Sequence, residues 1–197
     1  MRQAQVNRKT NETDIALRVA IDGTGDARID TGIGFFDHML NHLARHGLFD
    51  LDVRAVGDLH IDPHHTVEDV GICLGKAFLE AVGTPVGIRR YGHAVIPMDE
   101  ALAEVAVDFS GRPYLVFNAD LPKGSLGEFD VELAEEFMQA FAINSRVTLH
   151  VNLRYGKNTH HCIEGIFKAL AQALRRALET DPRNSEAIPS TKGMLET

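Results

Sequence analysis

The 197-residue chain predicts an α+β fold of two duplicated strand/helix halves, with sheets side by side and helices on one face. Three observations carry this expectation. "HHTVED" at 64–69 returns 96 positions later as "HHCIEG" at 160–165. The apolar positions after each glutamate recur at helical spacing, so each motif opens a long helix. Ahead of the two motifs, "LFDLDVRAVGDLHIDP" and "RVTLHVNLRYGKNT" alternate polar and apolar residues as half-buried strands do.

The remaining elements follow the same duplication. At the front, "DIALRVAIDGTG" (14–25) resembles "EALAEVAVDFSG" (100–111), both strand-like and closing on glycine. "DHMLNHLARHG" (37–47) lies over "EEFMQAFAINS" (135–145) at an offset of 98. Both read as amphipathic helices, with Met39, Leu40 and Leu43 matched by Phe137, Met138 and Phe141. Asp62-Pro63 and Asn158-Thr159 supply start chemistry for the long helices. Each half thus reads strand, strand, short helix, strand, long helix. The halves span 1–86 and 87–185, joined by "GTPVGIRRYG", and 186–197 form a polar tail expected to be irregular.

Composition is that of a globular protein, 44% hydrophobic and 24% charged. No apolar run reaches the roughly 18 residues that a membrane span needs. The polar start "MRQAQVNRKTNETD" does not read as a signal peptide. Two cysteines, Cys73 and Cys162, are too few for a disulfide scaffold, and as small buried thiols they fit a reducing cytoplasm. The net charge of −8, without basic clusters, argues against nucleic acid. A phosphorylated ligand would need the few basic residues gathered locally.

A lone histidine beside a helix is usually a surface or capping residue. Retention of the His-His-x-x-Glu spacing in both halves, while most neighbours differ, points instead to metal binding. Residues i and i+4 share a helix face, so His64 with Glu68, or His160 with Glu164, can address one ion. Adjacent histidines diverge by about 100° on a helix and suit two different ions better than one. His38 falls over Glu136 at the 98-residue offset, and both are competent donors. Eight candidates result: His38, His64, His65, Glu68, Glu136, His160, His161 and Glu164. Pseudo-symmetry divides them into two sites of four with positions left open. Imidazole plus carboxylate favours Mn, Fe, Zn or Ni over Ca or Mg. His42, His60, His93 and His150 have no counterpart in the other half and read as surface or packing residues.

"GIGFFDHML", "DLHIDPHHTVEDVGI", "MDEALAEVAVDFSGRPYL", "KNTHHCIEGIFKALAQAL" and "IPSTKG" together resemble the imidazoleglycerol-phosphate dehydratase family of histidine biosynthesis, in its monofunctional form. The resemblance covers nearly the whole chain in order. It implies a fold like the second domain of ribosomal protein S5, two Mn(II) ions per active site, and a 24-subunit particle with sites between subunits. Glu136 stands where many members carry a histidine. The reaction implied removes water from D-erythro-imidazole-glycerol phosphate to give imidazole-acetol phosphate. The hydrogen that leaves is not acidic, so the expected route runs through a metal-bound imidazolate that expels the hydroxyl. Glu12 matches the family's catalytic glutamate, although alone it reads as a solvated charge. Asp99 comes near the corresponding place in the second half and is a weaker candidate for a polar role. Arg90, Arg112, Ser190 and Lys192 match the phosphate contacts, and His46 a further substrate contact.

Two other readings compete. A binuclear phosphoesterase would also use His and carboxylate ligands, but such sites hold their ions close together. A non-catalytic metal-storage or metal-dependent assembly protein would explain the histidines and oligomerisation but not Glu12, the arginines or the "STK" tail.

Overall fold

A computed structural model of the chain describes residues 1–195; positions 196–197 of the tail lie outside the described residues. The first half runs β1 (Gln3–Lys9), β2 (Thr13–Ala20), β3 (Ala27–Asp30), α1 (Gly34–Gly47), β4 (Asp50–Gly57) and α2 (His64–Val82). The second half runs β5 (Tyr91–Met98), β6 (Ala101–Asp108), β7 (Tyr114–Asn118), β8 (Ser125–Leu126), β9 (Phe129–Asp130), α3 (Leu133–Ser145), β10 (Thr148–Tyr155) and α4 (Thr159–Leu178).

The two large sheets repeat one topology. Their strand orders are β1-β2-β4-β3 and β5-β6-β10-β7. Three strands of each are antiparallel, and the last, β3 or β7, joins its neighbour in parallel. Alternation fixes the register, because a one-residue slip would turn every apolar side chain to water. Ile15, Leu17 and Val19 of β2 face the core with Leu51 and Val53 of β4; Val105 and Val107 of β6 do so with Leu149 and Val151 of β10. The short helices also end alike. Leu48 and Arg146, which are 98 residues apart, both take φ 55° beyond the helix end and bond back to Ala44 and Ala142. Non-glycine residues in that left-handed conformation are uncommon, so its recurrence marks the duplication.

The expected pattern of two strands ahead of each short helix lacks β3 and β7. Both are edge strands with no fully buried residue: β3 alternates but spans only four residues, and β7 is longer without alternation, while Ala27, Ile29, Leu115 and Phe117 pack against the margin of the core. That pattern also lacks the β8–β9 hairpin.

The halves interlock through their helices. α1 packs on α4, and α2 on α3, so each short helix meets the long helix of the other half. Both pairs run parallel. Glu164 meets His38, and eight residues on Gln172 bonds the His46 carbonyl. Gly71 lies against Phe137 and Ala140, and Gly75 against Phe141 and Asn144. One core joins the sheets and all four helices. The tail is irregular, as expected, yet held: Gly87 exchanges backbone bonds with Ala187 and Asp181, and Leu195 is buried.

Candidate metal centre and active site

Each long helix follows its strand across a short loop, 58–63 before α2 and 156–158 before α4, and a capped first turn aims the paired histidines. Asn158 Oδ1 accepts the His160 N–H at 3.0 Å, and Asp62 Oδ1 accepts the His64 N–H at 2.8 Å. On α4 the side chains of His160 and Glu164 meet His38 of α1. Glu164 Oε2 lies 3.1 Å from His160 Nε2 and 3.2 Å from His38 Nε2. All three donor atoms fall within 4.8 Å of one another. The Phe35 and His160 rings pack nearly perpendicular with their centres 5.1 Å apart, which holds that imidazole in place. The cluster faces an open cleft of ≈ 520 Å³ between α1, α4 and the β8–β9 hairpin.

Two residues back the cluster. Lys168, one turn beyond Glu164, places Nζ 2.5 Å from Oε1. His42 places Nε2 3.4 Å from Oε2 and 3.2 Å from His38. Burial alone would push the Glu164 carboxyl up, but Lys168, His42 and His160 outweigh it and hold it at about 2. Glu164 is therefore a carboxylate at neutral pH. Burial pulls His42 down to about 4 despite Glu164, which keeps the ring neutral. His42 thus backs the candidate cluster as a packing residue, one of the two roles expected of it. The 38–42–46 spacing lines three imidazoles along α1, with the His42 and His46 rings stacked 5.5 Å apart.

His65 and His161 turn the other way. His65 Nδ1 lies 3.0 Å from Asp58 Oδ2, and its Nε2 lies 3.9 Å from Glu12 Oε1. His161 Nδ1 lies 2.8 Å from Glu100 Oε2, and its Nε2 lies 3.8 Å from Asp99 Oδ2. Glu12 and Asp99 occupy equivalent hairpins, β1–β2 and β5–β6. The hydrogen bond from His161, then that from the Asn158 N–H, pulls Glu100 down to about 2. The same pairings raise both histidines above their usual value, Asp58 acting on His65 and Glu100 on His161. A carboxylate on Nδ1 fixes tautomer and ring orientation and leaves Nε2 for an ion. Neither Asp58 nor Glu100 stood out in the sequence.

His64, Glu68 and Glu136 do not converge on one another as His38, His160 and Glu164 do. Glu68 and Glu136 lie on α2 and α3 at matching levels, about one turn before the Gly71–Ala140 contact, with His64 a further turn back on α2. Within a single chain, then, the expected two sets of four become one gathered trio, one facing trio and two histidines aimed elsewhere.

The anion-binding candidates gather at the other end of the second sheet. Arg90, Arg112, Ser190 and Lys192 line a cleft of ≈ 420 Å³ with Tyr91 and Leu195. Arg90 is buried and forks onto Asp108 at 2.7 and 3.1 Å, while its third bond holds the Pro189 carbonyl at 2.9 Å. The tail is thereby strapped down with Ser190 at the cleft.

The donor set fits a first-row divalent ion, whose bonds of about 2.1 Å would bridge the His38–His160–Glu164 trio after small side-chain rotations. Both cysteines are buried free thiols, and no helix among the described residues is long and apolar enough to cross a membrane.

Comparison with known proteins agrees with this geometry. The sequence model of the family described as imidazoleglycerol-phosphate dehydratase matches residues 31–174. The imidazoleglycerol-phosphate dehydratase of Gluconacetobacter diazotrophicus is 61% identical over 194 residues, 98% of each chain. That of Rhodopseudomonas palustris is 57% identical over 195 residues, 99% of each. The crystal structure of the Staphylococcus aureus enzyme superposes with a TM-score of 0.83 at 44% identity, covering 91% of this chain and 99% of that one. The Pyrococcus furiosus enzyme, crystallised in complex with (S)-C348, gives 0.83 at 37% identity over 96% and 100%. With the fold, the helix-borne donors and the whole-length similarity in agreement, the chain belongs to the imidazoleglycerol-phosphate dehydratase family, hydro-lyases of histidine biosynthesis.

Proposed function

We propose that the chain dehydrates D-erythro-imidazole-glycerol phosphate to imidazole-acetol phosphate with two Mn(II) ions per active site, in a 24-subunit assembly within the cytoplasm. The carrying observation is the convergence of His38, His160 and Glu164, donors from both halves, on an open cleft. His38, His160 and Glu164 would hold Mn(II), which would supply the Lewis acidity that eases loss of the substrate ring proton, so that the ring's electrons can expel the hydroxyl.

The chain's own residues do the rest. Glu12, exposed at its hairpin, takes the carbon-bound proton at its carboxylate; the enol left behind rearranges to the ketone. Arg112 and Lys192 set positive charge against the phosphate, and Ser190 offers a hydroxyl. Three of Arg90's five N–H donors are engaged, and the remaining two can reach the same anion. His46 lines the α1 face beside His42 and contributes a further polar contact.

Distance argues for sites shared between subunits. The trio and the Asp99–Glu100 hairpin lie at one end of β5, and the phosphate cleft at the other. Seven residue steps along Tyr91–Met98 separate them, a span of ~23 Å. A ring joined to phosphate through three carbons is far shorter than that. Ring and phosphate of one substrate are therefore held by different chains, and His65 and His161, aimed away from their own trios, are free to complete a neighbour's.

The test is ketone formation by protein stripped of metal and then reloaded with Mn(II). Activity should vanish and return. Full turnover by the stripped protein would refute the reading. Glu12→Gln should keep its Mn(II) and lose turnover by about 100-fold or more, the usual worth of a positioned base.

A further inference from the structure

We propose that the two donor clusters are unequal metal sites: His64, Glu68 and Glu136 on α2–α3 bind Mn(II) first and more tightly, and His38, His160 and Glu164 on α1–α4 bind second. The inference rests on reading both clusters as Mn(II) sites. It departs from the symmetry that the duplicated fold suggests.

Shifting α1 by 98 residues and α4 by 96 maps one cluster onto the other. Glu136 replaces His38, Glu68 replaces Glu164, and His64 replaces His160. The parallel helix pairs support the mapping, because Gln172 reaches His46 while Gly75, next to the Gln172 equivalent Lys76, approaches Asn144, the His46 equivalent. The surroundings, however, are not conserved between halves. Lys168, which grips Glu164 at 2.5 Å, maps onto Ile72. His42, which packs against Glu164 and His38, maps onto Ala140.

The charges differ accordingly. The α1–α4 cluster holds one carboxylate, already neutralised by a lysine that a divalent cation must displace or endure. The α2–α3 cluster holds two carboxylates, and no ion pair among the described residues involves either one. This also accounts for their geometry in the chain alone. Histidines and Lys168 draw Glu164 into a trio, whereas Glu68 and Glu136 repel each other until a cation lies between them. Lys168 acts as a stand-in cation on one side only.

Stripped protein is titrated with Mn(II), and the free ion is read from its paramagnetic resonance signal. The wild-type chain should show two classes of bound Mn(II) with dissociation constants at least roughly tenfold apart. Lys168→Met should tighten the weaker class by about tenfold and leave the other unchanged; Glu136→Gln should weaken the tighter class by about tenfold. One uniform class in the wild type, or Glu136→Gln acting on the weaker class, would overturn the inequality. If Lys168→Met fails to fold, the wild-type titration and Glu136→Gln still decide. No Mn(II) bound by the wild type would overturn the metal reading itself, and the inequality with it.

Discussion

Asp69, buried on α2 next to Glu68, accepts the Arg8 guanidinium and the Thr13 hydroxyl. Both donors flank the hairpin that carries Glu12, and Thr10 Oγ1 accepts the N–H groups of Glu12 and Thr13. Asp69→Ala would strand a part-buried cation and should cost ~2–3 kcal/mol in urea unfolding. Asp50 shows a different use of a carboxylate. Its Oδ1 accepts the N–H groups of Thr24, Gly25 and Asp26 and so closes the loop into β3. The Thr24 bond first, then those of Asp26 and Gly25, hold its carboxyl below the ordinary 3.8 against a burial effect that would raise it. Its stabilisation is therefore complete above pH 3.8 and lost as pH falls through the lower folded value. Asp50→Ala should cost about 1 kcal/mol at neutral pH, given its exposure, and a shrinking difference in acid unfolding scans. Residue roles were unevenly legible. The paired histidines announced themselves by repetition, but Glu12 alone is an ordinary surface charge. Asp58 and Glu100 reach their histidines from 7 and 61 positions away, contacts that only the folded chain creates.

Among elements, the long helices were legible down to their first residue, because cap, histidine pair and apolar period coincide at 64 and near 160. The helix pairing was not. Whether α2 lies on α1 or α3 depends on how two halves dock, and apolar faces serve either partner equally well. Glycine at 71 and 75 carries the specificity. A Cβ on Gly75 would fall 2.7 Å from the Phe141 carbonyl oxygen and 2.9 Å from the Ser145 nitrogen, both backbone atoms. Alanine ordinarily gains about 1 kcal/mol over glycine inside a helix. Here Gly75→Ala should instead destabilise by ~1–3 kcal/mol, since α2 must lift off α3. Thermal unfolding read by circular dichroism would decide, and an increase in Tm would show that the helices give way easily.

At the scale of the molecule, composition and repeats foretold the α+β class and the two like sheets. The placement of the candidate anion cleft was not legible, since Arg90, Arg112 and Lys192 are scattered singly through an acidic sequence. Folding collects them at the strand ends opposite the histidines. On α2 the same polarity holds, with 18 residue steps, ~27 Å, between His64 and Val82, which lines a crevice with Gly111 and Leu195. Chains carrying Glu12→Gln and chains carrying Arg112→Ala should each be inactive as pure assemblies. Co-assembled, they should recover about a quarter of wild-type activity, because a shared site draws both intact groups by chance from two pools. Recovery no greater than either parent would place base and phosphate grip on one chain.

The separation of those two ends along each chain also has a hereditary side. A cell carrying two different defective copies of this gene, each unable alone to support growth without histidine, would grow when the lesions fall at opposite ends and starve when they share one.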